Sequence, residues 1–273
     1  MKPYITFISF LFFSCNSFKS DNENLTAIVS SDKIVAFIYS NNSKSGLLDT
    51  NKNIILPAQF DYIEDYDFDN MIRIDSGGKK ISGGDAVGYN FKKYGLINIQ
   101  GQILFRPQFD DLRVSNNSAL VRLDSLFGFI DNKGNWLVKP KYKDAYPFYK
   151  ETAIVQDSGQ FLLINKQGQR IIPQTFDTIW GFKNDITVVE KDKKWGLVNY
   201  RGNYILPLDK YTGIGDYNWY FGKFQKNGKW FLIDTAGHIP IKEGFDEVEI
   251  RGNEDSVFAI GEQNGKPIKI NLK

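Results

Sequence analysis

The sequence predicts an all-β fold, an array of about six β-meander repeats plus a partial seventh, propeller-like in its strand order. Three observations carry this. The 273 residues include 22 Phe, 14 Tyr and 5 Trp against nine alanines, and aromatic residues suit a pleated, half-buried surface whereas alanine suits helices. Short apolar runs alternate with turns that draw on 24 glycines. One residue pattern recurs six times, at steps of 33 to 35 residues after a first step of 49 that carries an insertion, the mark of a repeat architecture.

The composition bounds the rest. At 42% hydrophobic and 24% charged residues, the chain can build a core, which argues against disorder. A net charge of +2 supplies no whole-chain field for nucleic acid, so no nucleic-acid partner is expected. One cysteine, Cys15, and one histidine, His238, exclude an intrachain disulfide and a Cys/His metal cage.

The first element is Met1 to Ser14. Lys2 precedes an apolar run from Tyr4 to Phe13 and a small residue, the layout of a secretory signal peptide. The run is too short to span a bilayer, which takes about 20 residues. Phe12-Phe13-Ser14-Cys15 resembles the lipobox of bacterial lipoproteins. That resemblance implies cleavage before Cys15 and lipidation of it, and several acyl chains anchor stably where one is marginal. Polar residues follow, so 15–31 is expected to be a lipidated cysteine and flexible tether, leaving 32–273 as one repeat domain.

The repeats come next. Tyr94-Gly95-Leu96-Ile97-Asn98 is followed by Gly101, Pro107 and Phe109-Asp110. Phe127-Gly128-Phe129-Ile130-Asp131 is followed by Gly134, Pro140 and Tyr142. The third copy runs from Phe161 to Asn165, then Gly168, Pro173 and Phe176-Asp177; the fourth has Trp195-Gly196, Asn199, Gly202 and Pro207. The fifth has Trp230, Asp234, Gly237 and Phe245-Asp246, and an earlier copy reads Ser45-Gly46-Leu47-Leu48-Asp49, then Pro57 and Phe60-Asp61. In the fourth copy the late aromatic slips to Tyr211. Each Asx-x-x-Gly segment reads as a hairpin turn, with the Asx side chain holding backbone N–H groups and Gly taking positive φ. Proline belongs at a strand end or sheet edge. A further strand precedes each hairpin, for example Ala119 to Leu123, and Ser256–Ile260 with Pro267–Asn271 offer two more strands, a partial seventh unit or a cap.

These units resemble the WG-repeat family, named for the pair that stands here as Trp195-Gly196. The resemblance covers roughly residues 33–250 and implies a β-repeat protein with no common catalytic set. A unit of 33 to 35 residues cannot bury both faces alone, so neighbours must stack. A propeller-like ring is favoured, with an open β-solenoid as the alternative.

Other candidate sites are weaker. Gly77-Gly78-Lys79-Lys80-Ile81-Ser82-Gly83-Gly84 lacks the Gly-Lys-Ser/Thr and following helix of a phosphate loop and reads as a flexible surface loop. Asp61, Glu64, Asp65, Asp67 and Asp69 lack calcium-loop spacing and read as a solvated acidic edge. His238 follows a turn glycine and reads as a turn residue. Trp136, Trp195 and Trp230 read as packing residues. Trp180, Trp219, Tyr146, Phe148, Tyr149, Tyr217 and Tyr220 lie between hairpins and are candidates for an exposed stacking platform.

The functional expectation is a non-catalytic, lipid-anchored cell-envelope protein, on the outer membrane and facing the periplasm or the surface. It would bind a protein or another macromolecule, without cofactor or metal. A glycan-binding module is the alternative. A carboxylate-dependent hydrolase ranks below both, since no Asp/Glu pair stands apart from the repeats.

Overall fold

A computed structural model describes residues 25–65, 70–77, 79–83, 86–90, 93–115, 117–218, 220–253 and 255–273. Among them every regular element is a β-strand. The chain forms two compact units, the first ending at Phe109 and the second beginning at Asp110.

In the first unit, β1 (Thr26–Ser30), β2 (Lys33–Asn41), β3 (Lys44–Leu48) and β4 (Ile54–Phe60) make one antiparallel meander. β5 (Tyr62–Ile63) and β6 (Ile72–Ser76) begin a second sheet. A separate hairpin, β7 (Lys79–Gly83) with β8 (Ala86–Asn90), interrupts it before β9 (Lys93–Ile97) and β10 (Ile103–Phe109) complete it. Ile28, Leu47, Phe60 and Ile74 belong to the core of this unit.

The second unit continues the pattern. β11 (Asp111–Ser115), β12 (Ser118–Leu123), β13 (Leu126–Asp131) and β14 (Trp136–Tyr142) form four strands, and β15 (Asp144–Ala145), β16 (Thr152–Asp157) and β17 (Gln160–Asn165) form three. β18 (Thr178–Ile179), β19 (Ile186–Lys191), β20 (Lys194–Asn199) and β21 (Tyr204–Asp209) again form four. Two three-stranded sheets follow: β22 (Gly213–Asn218), β23 (Phe221–Lys226) and β24 (Lys229–Asp234), then β25 (Glu247–Gly252), β26 (Val257–Gln263) and β27 (Lys266–Asn271). The last of these contains the two strand runs expected after the sixth copy. Core clusters form between successive sheets, as where Leu163 and Phe176 meet Val189 and Val198.

Two expectations need correction. Residues 26–30 were expected in the tether, yet they form β1, paired with β2. Thr-Ala-Ile-Val-Ser has strand propensity, and Ile28 is buried. The Gly-Lys insertion was expected to be a loop, yet Lys79 to Gly83 pair with Ala86 to Asn90. Its density of glycine masks a short hairpin.

Candidate functional site

The repeat signature resolves into architecture. In five turns the glycine takes positive φ: Gly101 (+77°), Gly134 (+84°), Gly168 (+73°), Gly202 (+86°) and Gly237 (+92°). Lys52 stands at this position in the first copy with φ +65°. The Asx carboxylate or amide oxygen accepts two backbone N–H groups; Asp131 takes those of Lys133 at 2.9 Å and Asn135 at 2.7 Å. The residue four after the Asx closes the turn with its side chain: Asn53, Gln102, Asn135 and Gln169 each bond back to the Asx side chain. His238 stands at that same position, its Nδ1 2.9 Å from Asp234. The single histidine is thus a turn partner, with its side chain 80% exposed.

The glycine of the aromatic-Gly pair has a separate cause. In the first sheet Ser45 pairs with Phe60 and Leu47 with Leu56, so the outer strand bulges past Gly46. The same bulge faces Gly95 and Gly128. A Cβ on Gly128 would lie 2.7 Å from both Val138 O and Pro140 N; on Gly95 it would lie 2.6 Å from Phe105 O. Gly196 faces a bulge one residue shorter, with Trp195 paired to Asp209. Asp209 thus takes the place opposite the aromatic-Gly pair that an aromatic holds in other copies, and Tyr211 follows two residues later. All four copies with glycine have a four-stranded sheet. Where Leu162 or Phe231 stands instead, the sheets have three strands, and only the aromatic bridges Phe161–Phe176 and Trp230–Phe245 persist, with one further bridge, Ile164–Arg170. A side chain at this position excludes the bulged backbone, so the outer strand bends away.

The recurring Phe-Asp does two jobs. Phe60, Phe109, Tyr142, Phe176 and Phe245 are all buried. The aspartate ties one sheet to the next. Asp177 accepts Gln160 Nε2 from β17, and Lys191 Nζ and Asp192 N from the β19–β20 hairpin, each at 2.8 Å. The bond from Lys191 leads in drawing its carboxyl down to about 2. Asp246 accepts Lys229 Nζ from β24 and Gly265 N from the β26–β27 turn. Asp61 likewise takes Lys44 Nζ and Gly77 N. The repeat spacing marks this aspartate in the sequence without showing the tie it makes.

The acidic edge is ordinary. Glu64 pairs with Arg73 at 2.7 Å, Asp67 and Asp69 lie outside the described residues, and no cluster of metal-binding side chains occurs among the described residues. Asp75 is different: it is 2% exposed with Oδ1 unpartnered. Burial, reinforced by Asp61, pushes its carboxyl up to about 7.

The candidate aromatics divide. Phe148, expected in an exposed platform, is 1% exposed and packs on Phe129 at 4.6 Å. Its place beside the core of β12–β14 decides this, and sequence order alone does not show it. Trp180 is 46% exposed and meets Trp195 edge-on at 6.1 Å, beside a small cavity of about 240 Å³ that also includes Tyr211. Trp219 and Cys15 lie outside the described residues.

Tyr149 and Tyr220 open onto a larger cavity of about 500 Å³ in the second unit, lined also by Asn184, Asp185, Tyr200, Arg201 and Thr235. The repeat register builds it. In each of five copies the residue after the turn Asx touches the loop before the second strand, as Tyr200 N donates to Asp185 O at 2.9 Å and Thr235 N to Tyr220 O at 3.1 Å. Tyr149 Oη donates to Asp185 Oδ1 at 2.8 Å, and Lys150 Nζ lies 2.5 Å from the same oxygen. Lys150 holds the Asp185 carboxyl below its usual range. Tyr149 stacks on Phe182, and Lys150 and Arg201 flank the Tyr200 ring. Aromatic faces, cations and amides therefore meet in one cavity, assembled, the turn residue Asn199 apart, from residues that do not recur between copies.

Short antiparallel sheets, in which an Asx-x-x-Gly turn leads from the inner strand to the outer and an aromatic-Gly pair licenses that outer strand, define a β-repeat protein. The WG containing repeat matches at residues 46–79, 94–126, 127–160 and 163–195, and the chain belongs to that family. No curated protein matches. Among solved structures, a eukaryotic initiation factor is 14% identical, with 91% of this chain and 73% of that one covered at a TM-score of 0.41. Hsv2p from Kluyveromyces lactis is 9% identical, with 87% and 94% covered at 0.36. The N-terminal domain of Nup159 is 10% identical, with 87% and 71% covered at 0.32. Likeness at these levels carries nothing further for this chain.

Proposed function

We propose that this is a non-catalytic, lipid-anchored cell-envelope protein whose repeats present a binding surface to a protein or other macromolecule. One observation carries the reading. The residues that recur are consumed by turns, bulges and inter-sheet ties, while the polar and aromatic side chains lining the cavity of the second unit, the turn residue Asn199 apart, do not recur. A repeat array gives a broad scaffold on which such residues vary freely. Cys15 is the anchor, by its place after the apolar leader, and holds the domain at the membrane; nucleic acid is not a partner. The glycan-binding alternative gains from the cavity at Tyr149, Tyr200 and Tyr220.

The test of the module is affinity capture from envelope extract with the full chain tagged at its C-terminus. A specific partner is expected; recovery of background proteins alone contradicts the reading. The anchor is tested by palmitate labelling, expected in the wild type and lost in Cys15→Ala. An unlabelled wild type removes the lipid anchor.

A further inference from the structure

The cavity at Tyr149, Tyr200 and Tyr220 in the second unit gathers charged, amide and aromatic side chains, and its composition selects a ligand. Its volume of about 500 Å³ falls within the range of about 300–1,000 Å³ usual for small-ligand sites. Asp185 is already neutralised by Lys150 and engaged by Tyr149. Arg201 is engaged less directly: its Nε donates to Tyr200 Oη at 3.0 Å, its guanidinium carbon lies 5.3 Å from the Tyr200 ring, and it acts on Asp185 through space without a contact ion pair among the described residues. The cavity therefore keeps one positively charged fork held against an aromatic ring. Such a fork matches a carboxylate with two parallel hydrogen bonds.

The remaining polar groups point to a polyhydroxylated partner. The Asn184 amide, the Thr235 hydroxyl and the Tyr220 hydroxyl line the same cavity and have no side-chain hydrogen bond to any described residue. An amide both donates and accepts, as does a hydroxyl, so these three complement ring hydroxyls of either role. Lys273 Nζ lies 3.9 Å from the Tyr220 ring centroid and occupies one face, and with 40% of the residue exposed the rest of the ring is open to the apolar face of a sugar. We propose that this cavity binds an acidic saccharide, with a uronate carboxylate at Arg201 and the ring hydroxyls at Asn184, Thr235 and Tyr220.

This site rests on the binding-module reading and assigns a ligand class to one cavity of it. Calorimetric titration of the full chain with trigalacturonate, and with cellotriose as the neutral comparator, tests it. The wild type is expected to bind the uronate at least about tenfold more tightly than the neutral trimer, since hydrogen bonds to a charged group are the stronger ones. Raising the salt should weaken the uronate alone. Arg201→Gln should abolish the preference, and Tyr220→Ala should weaken binding about threefold to tenfold. Tyr204→Ala, an exposed tyrosine outside the cavity, should leave it unchanged and shows that tyrosine loss alone is not the cause. Arg201→Lys keeps the charge but not the fork and should bind between wild type and Arg201→Gln. No binding of trigalacturonate by the wild type up to about 10 mM overturns the proposal, as does equal binding by wild type and Arg201→Gln. Preference for cellotriose also overturns it. Capture of an envelope partner that survives in Arg201→Gln would leave the module standing while this site fails.

Discussion

Gly128→Ala should destabilise the second unit although it adds only one methyl group. The added Cβ would lie 2.7 Å from Val138 O, 2.7 Å from Pro140 N and 3.0 Å from Lys139 C. All three are backbone atoms, so no side chain can swing aside. Gly128 does not occupy positive φ, so alanine pays no conformational penalty there. By limiting the unfolded chain it would otherwise stabilise by about 0.4–1 kcal/mol. Against that, forcing an extra methyl into a packed site costs about 1–3 kcal/mol. Moving β14 also weakens its pairing with β13 and loosens Val138 and Tyr142, both buried, with each lost hydrogen bond worth about 1 kcal/mol. The net expectation is a loss of about 2–3 kcal/mol. Gly181→Ala is the matched control, because a Cβ there meets nothing within 4 Å and φ is not positive. It should be neutral or stabilising by up to about 1 kcal/mol. Equilibrium urea unfolding of both variants measures the difference. Equal midpoints for the two would refute the steric account of the aromatic-Gly pair.

Three further outcomes follow from the same geometry. Lys52→Gly should stabilise by about 0.5–1 kcal/mol, because Lys52 carries φ +65° where the other copies place glycine; an unchanged melting temperature would count against it. Phe176→Ala, fully buried between β16–β17 and β19–β20, should cost about 3–5 kcal/mol by denaturant titration, and a loss below about 1 kcal/mol would show the site to be collapsible. Asp75 resists ionisation up to about pH 7 in the folded chain but has an ordinary value of 3.8 when free. The folded state therefore binds the extra proton between those values, and stability from this group falls as pH rises from about 4 to 7. Asp75→Asn should remove that fall and gain about 1–3 kcal/mol at pH 8, with less gain at pH 4; parallel pH profiles for wild type and variant would contradict this.

The periodic features were legible in the sequence for a physical reason. Asx, Gly and the buried aromatic each satisfy a local demand, so Asp131, Gly134 and Tyr142 betray their turn and strand by spacing alone. The two strands between Val257 and Asn271 were legible only as apolar runs, without that turn and aromatic spacing. The strand count of each sheet was also written there, in Gly128 against Leu162, but its meaning needed the bulged neighbour to be seen. What stayed hidden depends on register between sheets. Asp177 reads as the start of a strand until Lys191 and Asp192 N are found beside it. Tyr149, Asp185, Tyr200 and Tyr220 are separated by up to two repeats, and only the stacking of the turns brings them to one cavity. Phe148 shows the converse: an aromatic between hairpins packed into the core by a neighbour that its sequence position does not reveal.

The central structural claim is that the residue after the repeat aromatic decides whether a sheet gains its fourth strand. The direct test is a crystal structure of Gly128→Leu, which gives the second copy the Phe-Leu of the third. Phe127 should keep its pairing with Tyr142, as Phe161 keeps Phe176. The pairing of Phe129 with Val138 should be lost, and residues 138–141 should leave β13 in a bend. An intact four-stranded β11–β14 sheet with leucine at position 128 would contradict the account.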